Sequence, residues 1–313
     1  MIQVPGVDLV GGVRGRVVLG ENLEVLRDLP DESIDLIAID PPFNTGRRRT
    51  FERVRSERDE QNGDHTGFAG HRYRTIQLST RTYLDIHDEY LEALAVRLVE
   101  MRRVLRSSGS LYLHLDPRES HYVKVLTDSI FGRGCFLNEV VWAYDYGART
   151  TRRWPPKHDT ILVYVKDPRR YYFDAGAVER IPYLAPELVG PEKAARGKLP
   201  TDAWWHTIVP PGGRERTGYP DQKPMAIVRR IVAASSPAGG LVADFYAGSG
   251  TVGAAAHELG RRFLLVDSNP DAVAVMRDRF AGHAGIELPE AGIELPEAAP
   301  EPDTHAPRKE TDR

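Results

Sequence analysis

A chain of 313 residues, 41% hydrophobic and 28% charged, has the composition of a globular protein with one large domain or two small ones. No run of 18 apolar residues offers a membrane span, Met1 to Val10 lacks the basic and apolar regions of a secretion signal, and a single cysteine excludes an internal disulfide and a cysteine-based zinc site. The expectation is a cytoplasmic protein with no metal; its net charge of −3 is uneven, because residues 284–313 carry eight acids against three bases and leave the rest mildly basic.

Arg16 to Leu19 reads as a short strand, followed by Gly20-Glu21-Asn22 and a helix with Leu23, Leu26 and Leu29 on one face, stopped at Pro30. Ile34 to Ile39 is then an apolar run ending at Asp40-Pro41-Pro42-Phe43, the pattern of a buried strand that delivers a carboxylate and an aromatic ring to its carboxyl end. A strand, helix, strand unit builds a parallel α/β sheet, and open sheets of that kind bind ligands at the carboxyl ends of their strands. Two prolines fix φ and remove donors, so the Asp40 and Pro41 carbonyls can face a ligand. Such a corner suits a planar group bearing an amine, with carboxylate and carbonyl accepting its hydrogens while Phe43 stacks on the ring. The alternative is a plain proline turn.

Residues 47–80 hold eight arginines, Gly63, Gly67 and Gly70 with little apolar periodicity, which predicts a mobile loop acting as a lid over the corner. A helix from Asp88 to Arg106, closed by Ser107-Ser108-Gly109, leads to a strand from Ser110 to Leu115 in which His114 reads as a plain strand residue. A helix from Glu119 to Phe131 follows, then strands at Leu137–Tyr144 and Thr160–Val165. Cys135 lies between Phe131 and Phe136 and reads as a packed thiol. Between the two strands lies a second basic loop with Arg149, Arg152, Arg153 and Trp154. Arg169 to Thr217 is rich in proline and aromatics and reads as irregular structure with a small core of its own at most.

A helix at Pro224–Ala234 and a strand at Leu241–Phe245 lead into Tyr246-Ala247-Gly248-Ser249-Gly250-Thr251, a helix to Leu259, a strand ending at Asp267 and a last helix. The seven-residue repeat A-G-I-E-L-P-E then opens a tail, residues 284–313, predicted to be disordered and acidic. The glycine-rich turn belongs to a nucleotide-type fold: Gly248 and Gly250 let the backbone approach a ligand, and Asp267 is placed to accept two ribose hydroxyls. An anionic Asp244 beside those glycines suits a cation better than a pyrophosphate, so S-adenosylmethionine outranks NAD.

Together, D-P-P-F-N-T-G (Asp40 to Gly46) and D-F-Y-A-G-S-G-T (Asp244 to Thr251) resemble the motifs of amino-group DNA methyltransferases, which modify N6 of adenine or N4 of cytosine. Gly109 to Asp116, Lys157 to Lys166 and Gly218 to Pro224 resemble that family's intermediate motifs in order, and the catalytic motif precedes the cofactor motif, as in the β arrangement. The resemblance implies a Rossmann-like α/β fold with a mostly parallel, doubly wound sheet, divided into a catalytic part (16–167), a small irregular target-recognition insertion (168–217) and a cofactor-binding part (218–283). It implies S-adenosyl-L-methionine held by Glu21, Asp40, Lys223, Asp244, Phe245, Ala247, Gly248, Ser249, Gly250, Thr251 and Asp267. It implies catalysis by Asp40, Pro41, Pro42 and Phe43 on a base flipped out of double-stranded DNA, with Arg47, Arg48, Arg49, Arg149, Arg152 and Arg153 on the phosphates. Glu21 stands where the family has Asp. An Asp in the first motif position resembles the adenine enzymes more than the cytosine ones. A homodimer and a cognate restriction endonuclease stay open as partners, and the rival readings are a nucleotide-dependent oxidoreductase and a non-catalytic DNA-binding module.

Overall fold

The computed structural model describes residues 12–42, 47–58, 61, 65–66, 72–85, 90–147, 150–210 and 212–290. Phe43, Arg149 and the tail beyond residue 290 lie outside them, as do the side chains of Arg47, Arg48 and Arg49. The chain runs through β1 (Gly15–Leu19), α1 (Asn22–Asp28), β2 (Ile34–Ile39), β3 (Arg47–Arg58), β4 (His65–Thr66), β5 (Arg72–Asp85), α2 (Tyr90–Val104), β6 (Leu105–Leu115) and α3 (Ser120–Phe131). It continues through β7 (Phe136–Ala143), β8 (His158–Val165), α4 (Pro191–Arg196), β9 (Ala203–Trp205), α5 (Met225–Ser235), β10 (Leu241–Asp244), α6 (Thr251–Glu258), β11 (Arg262–Asp267), α7 (Pro270–Phe280) and β12 (Ile286–Glu287).

Nine strands form one sheet in the order β12-β1-β11-β10-β2-β6-β8-β7-β9. The strands from β12 to β6 are parallel, β8 is antiparallel to both of its neighbours, and β9 joins β7 in parallel. From β10 the chain moves outward to β11, whereas from β2 it moves the other way to β6, so the strand order reverses between β10 and β2. That switch point is where a doubly wound sheet opens a crevice.

Side-chain alternation explains the layers. On β2, Ile34, Ile37 and Ile39 pack with Leu26, Leu94, Leu98 and Met101, while Leu36 and Ala38 pack with Val228, Val232, Ala255 and Met276 on the other face. All six β2 residues are buried, which is why the strand reads as a continuous apolar run. The exception, Asp35, accepts the Leu241 N–H at 2.8 Å and pairs with Arg106. A buried carboxylate thereby ties β2 to the start of β10 and fixes the register of the two strands that carry the site.

Helix α6 packs on β11 through Gly253, where a Cβ would stand 2.6 Å from Leu265 Cδ1 and 3.0 Å from the Phe263 ring. Gly253→Val is expected to destabilise the fold by about 1–3 kcal/mol through overpacking, measured as the shift in denaturant midpoint.

Four expectations need correction. Residues 47–80 are not a structureless loop: β3 and β5 pair antiparallel along Arg47↔Asp85 to Arg58↔Tyr73 in a separate three-stranded sheet with β4. Charge and glycine hid the alternation of Ile76, Leu78, Thr80, Thr82 and Leu84, a strand signal. Ser107-Ser108-Gly109 does not close α2, which passes directly into β6. The Ser33 and Glu32 N–H groups bond the Val104 and Arg103 carbonyls at 2.8 and 3.2 Å, so no glycine cap is needed. Residues 169–217 do not stand apart from the main core, because β9 extends the main sheet and Trp204 packs with Trp142 in the general core. The tail begins ordered, with Ile286 and Glu287 pairing with β1 and Glu287 bound to Arg16 at 2.6 Å. Among the described residues, no helix is long and apolar enough to cross a membrane and no group of His, Cys, Asp and Glu is arranged to hold a metal ion.

Candidate active site

A cleft of about 760 Å³ opens at the switch point. Ala243 lies opposite Ile37 across β10 and β2, so Asp244 and Asp40 emerge at the same edge of the sheet, on adjacent strands. Glu21, Asp40, Pro41, Pro42, Lys223, Asp244, Phe245, Ala247, Gly248, Ser249, Thr251 and Asp267 all line this one cleft, which brings the two motifs together across some 200 residues of sequence. Gly250 does not line it; it caps α6 from beneath, against Met276.

At the Asp40 corner, Oδ2 pairs with the Lys223 ammonium, while Oδ1 is buried with no hydrogen-bond partner among the described residues. A buried acceptor left open is costly unless a ligand donor meets it. Burial opposes the charge on Lys223, but Asp40, Asp159 and Asp221 together hold its pKa above the ordinary value. Lys223 thus stands at the Asp40 corner of the same cleft that the glycine-rich turn lines.

At the glycine-rich turn, Asp267 accepts the Gly248 N–H at 2.7 Å and the Asn269 N–H at 2.8 Å. Gly248 has φ +49°, and a Cβ there would stand 3.0 Å from the Tyr219 ring, so the turn tolerates only glycine while Tyr219 covers it. Asp244 accepts the Tyr246 N–H at 3.0 Å. Burial, with the charges of Asp40 and Asp267, pushes its carboxyl well above the usual range, against the Tyr246 N–H and the Lys223 charge. Burial likewise raises Asp267.

Several of the predicted residues that line the cleft also bind its walls together. The Phe245 ring is fully buried in the core and only its carbonyl is used, by Asn22 Nδ2 at 2.9 Å. Ser249 Oγ and Thr251 Oγ1 bond each other at 3.0 Å, and Arg279 binds the Ser249 carbonyl and Thr251 Oγ1 at 2.7 and 3.2 Å, tying the turn to α7. The Glu21 carboxylate caps α1 through the Leu23 N–H at 2.6 Å and pairs with Arg97 at 2.5 Å. Arg152 and Arg153 are exposed and lie outside the cleft lining.

Sequence reasoning missed Arg97, Tyr246, Tyr219, Asn269 and the His114–Asp159 pair, all at or beside the cleft. Tyr246 could have been found, because it follows Phe245 in the turn motif and strand alternation turns it the opposite way. Arg97 carried no signal beyond an i, i+4 place on α2.

The lining fits a cation with a nucleoside body better than a dinucleotide. Its two formal cations, Arg97 and Lys223, are already engaged by Glu21 and Asp40, whereas Asp244, Asp267 and Asp40 Oδ1 converge as acceptors. A pyrophosphate would meet carboxylates; a sulfonium with an amino-acid tail meets counter-charge.

A family model described as DNA methylase matches residues 34–278. The chain is 28% identical over 268 residues to the type II methyltransferase M.HpaI of Haemophilus parainfluenzae, covering 84% of this chain and 73% of that protein. It is 28% identical over 270 residues to the DNA adenine methyltransferase YhdJ of Escherichia coli strain K12, covering 82% and 79%. Among solved structures, its fold matches the cytosine-N4-specific PvuII DNA methyltransferase at TM-score 0.59, with 16% identity over 87% of this chain and 88% of that one. It matches the M1.HpyAVI–SAM complex at TM-score 0.54, with 16% identity over 85% and 99%. With a parallel sheet open at its switch point, an unmet acceptor beside a nucleoside turn and a family match over most of its length, the chain belongs to the DNA methylase family of N6 and N4 amino-methyltransferases.

Proposed function

We propose that this chain transfers a methyl group from S-adenosylmethionine to the N6 amine of an adenine in double-stranded DNA, with the amine held at Asp40. The observation that carries this reading is the buried, open Oδ1 of Asp40, one strand away from the Asp244 turn. S-adenosylmethionine supplies a methyl group made electrophilic by its positive sulfur. Asp244, Asp267 and the Gly248 turn would hold it. The amine is a poor nucleophile because its lone pair is delocalised into the base. Accepting its hydrogens at Asp40 Oδ1 and the Pro41 carbonyl favours a pyramidal nitrogen with that pair freed for attack. Phe43 is assigned to stack on the base, as its motif suggests.

Support for adenine is the Asp at the first motif position and a relative named as an adenine enzyme. Incubating the protein with duplex DNA and S-adenosylmethionine, digesting to nucleosides and weighing them tests the reading. N6-methyladenine is expected; N4-methylcytosine overturns the choice of base, and no methylated nucleoside overturns the transferase. Residues 168–217 are assigned to target recognition. Relatives named as type II methyltransferases support a role paired with a cognate endonuclease, in the cytoplasm where DNA lies, and the chain is assigned as a homodimer by family resemblance.

The second basic loop is assigned to the phosphates. Its ends are joined by the Tyr144 N–H to the Lys157 carbonyl at 3.0 Å, and it projects Arg152, Arg153 and Trp154, the last 93% exposed. Arg152→Ala with Arg153→Ala is expected to weaken DNA binding regardless of sequence and to lower the salt slope of binding by about 2, measured by titration at several salt concentrations.

A further inference from the structure

The second basic loop carries an indole that neither the core nor the phosphate contacts assigned to that loop use. Trp142 and Trp204 are buried, as large apolar rings are expected to be, whereas Trp154 is 93% exposed. Arg152 and Arg153 precede it, and Pro155, Pro156 and Lys157 follow. Trp154 and Pro155 each stand before a proline, which keeps both in extended backbone and puts the indole on a stiff stalk. The root of the stalk is fixed as well. Ala143 pairs with His158 across β7 and β8, the Tyr144 N–H bonds the Lys157 carbonyl at 3.0 Å, and the Lys157 ammonium bonds the Asp145 carbonyl. The Tyr144 hydroxyl donates to Asp159 Oδ1 at 3.1 Å, and the Arg152 N–H donates to Thr150 Oγ1 at 3.2 Å.

Sheet register puts this root at the edge that bears the catalytic corner. Ile39, which delivers Asp40, lies opposite Leu113 on β6, and Leu115 lies opposite Thr160 on β8. The loop therefore leaves the sheet where the cleft opens, two strand spacings or about 10 Å from β2. The four residues from Trp154 to His158 span at most about 13 Å. A base turned out of a duplex into the Asp40 corner leaves a gap in the stack, and the base returns when the duplex closes over that gap. We propose that Trp154 is the wedge that enters the gap: its ring stacks on the bases beside the vacated position, while Arg152 and Arg153 hold the adjoining phosphates. Every base offers a π-face, so the contact promotes flipping and leaves the choice of site to other residues.

The inference rests on the proposed function and is tested with the full chain, S-adenosylmethionine and a duplex that the wild type methylates. So exposed a ring contributes little to the fold, and Trp154→Ala is expected to keep the wild-type Tm. Its single-turnover rate is expected to fall about 30-fold, the effect of losing a base–aromatic stack. The affinity for S-adenosylmethionine and the salt slope of DNA binding stay unchanged, because the phosphate contacts remain. Trp154→Phe, which keeps a ring, recovers the rate to within about threefold of wild type. On a duplex with an abasic position opposite the target base, the base leaves without breaking a pair, and the Trp154→Ala loss shrinks to less than about threefold. 2-Aminopurine in place of a target adenine should brighten in complex with the wild type and stay dim with Trp154→Ala. Equal losses on the two duplexes, or equal brightening, overturn the proposal. So does a Trp154→Ala variant with wild-type rates that sediments as a smaller species, since the indole then serves a second copy of the chain. A wild type that methylates no DNA sinks the proposed function; an active wild type indifferent to Trp154 sinks only this inference.

Discussion

Asp40→Ala is expected to lower methyl transfer about 10³-fold while leaving S-adenosylmethionine affinity, read by calorimetry, little changed. The magnitude is that of removing a preorganised polar partner whose value appears mainly in the transition state. On the proposed reading Oδ1 accepts from the amine, and its neighbours are poor replacements: burial pushes the Asp244 carboxyl well above the usual range, and Asp267 already takes the Gly248 and Asn269 N–H groups. The substitution also strips Lys223 of a partner, and a buried cation left without one destabilises a fold. The Asp221 carbonyl still accepts from Lys223 at 3.2 Å, so Asp40→Ala should fold with a lowered Tm, and the rate is to be compared on folded protein. Asp40→Asn separates the two effects. It keeps an oxygen of the same shape and loses the charge, so a rate closer to that of Ala than of wild type would mean that the anion is required, and a near-normal rate in either variant would remove Asp40 from catalysis.

The strands bearing Asp40 and Asp244 were legible because burial on both faces leaves a continuous apolar run, and a carboxylate at the end of such a run stands out. Their adjacency, across some 200 residues, is seen only in the sheet order, where β10 lies beside β2. What could not be read were partnerships across distance. Lys223 sits 183 positions from Asp40, and a lysine beside a proline reads equally well as a ligand of the cofactor or of a carboxylate. Glu21 is assigned to the cofactor by resemblance; its cap on the Leu23 N–H is local, whereas its pairing with Arg97 exists only once α1 and α2 lie side by side. The His114–Asp159 pair was hidden for a similar reason: β6 and β8 are antiparallel neighbours in a sheet that otherwise runs parallel in its central strands, and nothing in either strand announces that exception. The β3–β5 hairpin was lost to its charges, since arginines on a strand look like a solvated loop unless the alternation between them is counted.

Asp244→Asn is expected to move two measurements in opposite directions. Burial is the largest force on the Asp244 carboxyl and favours its neutral form; the nearby Asp40 and Asp267 push the same way, against the Tyr246 N–H and Lys223. A group whose folded pKa lies above its unfolded value binds more protons in the native state, so stability is lost as pH rises from the ordinary carboxylate range through the raised folded value. Asparagine carries no such proton. The ligand-free variant should therefore melt above wild type at neutral pH, and the gap should close in acid, where Asp244 is protonated in both states. Binding a cation reverses the balance, because the sulfonium and ammonium of S-adenosylmethionine favour ionised Asp244. Wild-type affinity should then rise with pH, with proton release detectable by calorimetry in buffers of different ionisation heat, and level off above the free-state pKa. Asparagine loses that charge, worth about 1.5–3 kcal/mol or roughly 10- to 100-fold in affinity, and flattens the pH slope. A variant that binds S-adenosylmethionine as tightly as wild type, with the same pH slope, would place the cofactor's positive charge elsewhere in the cleft.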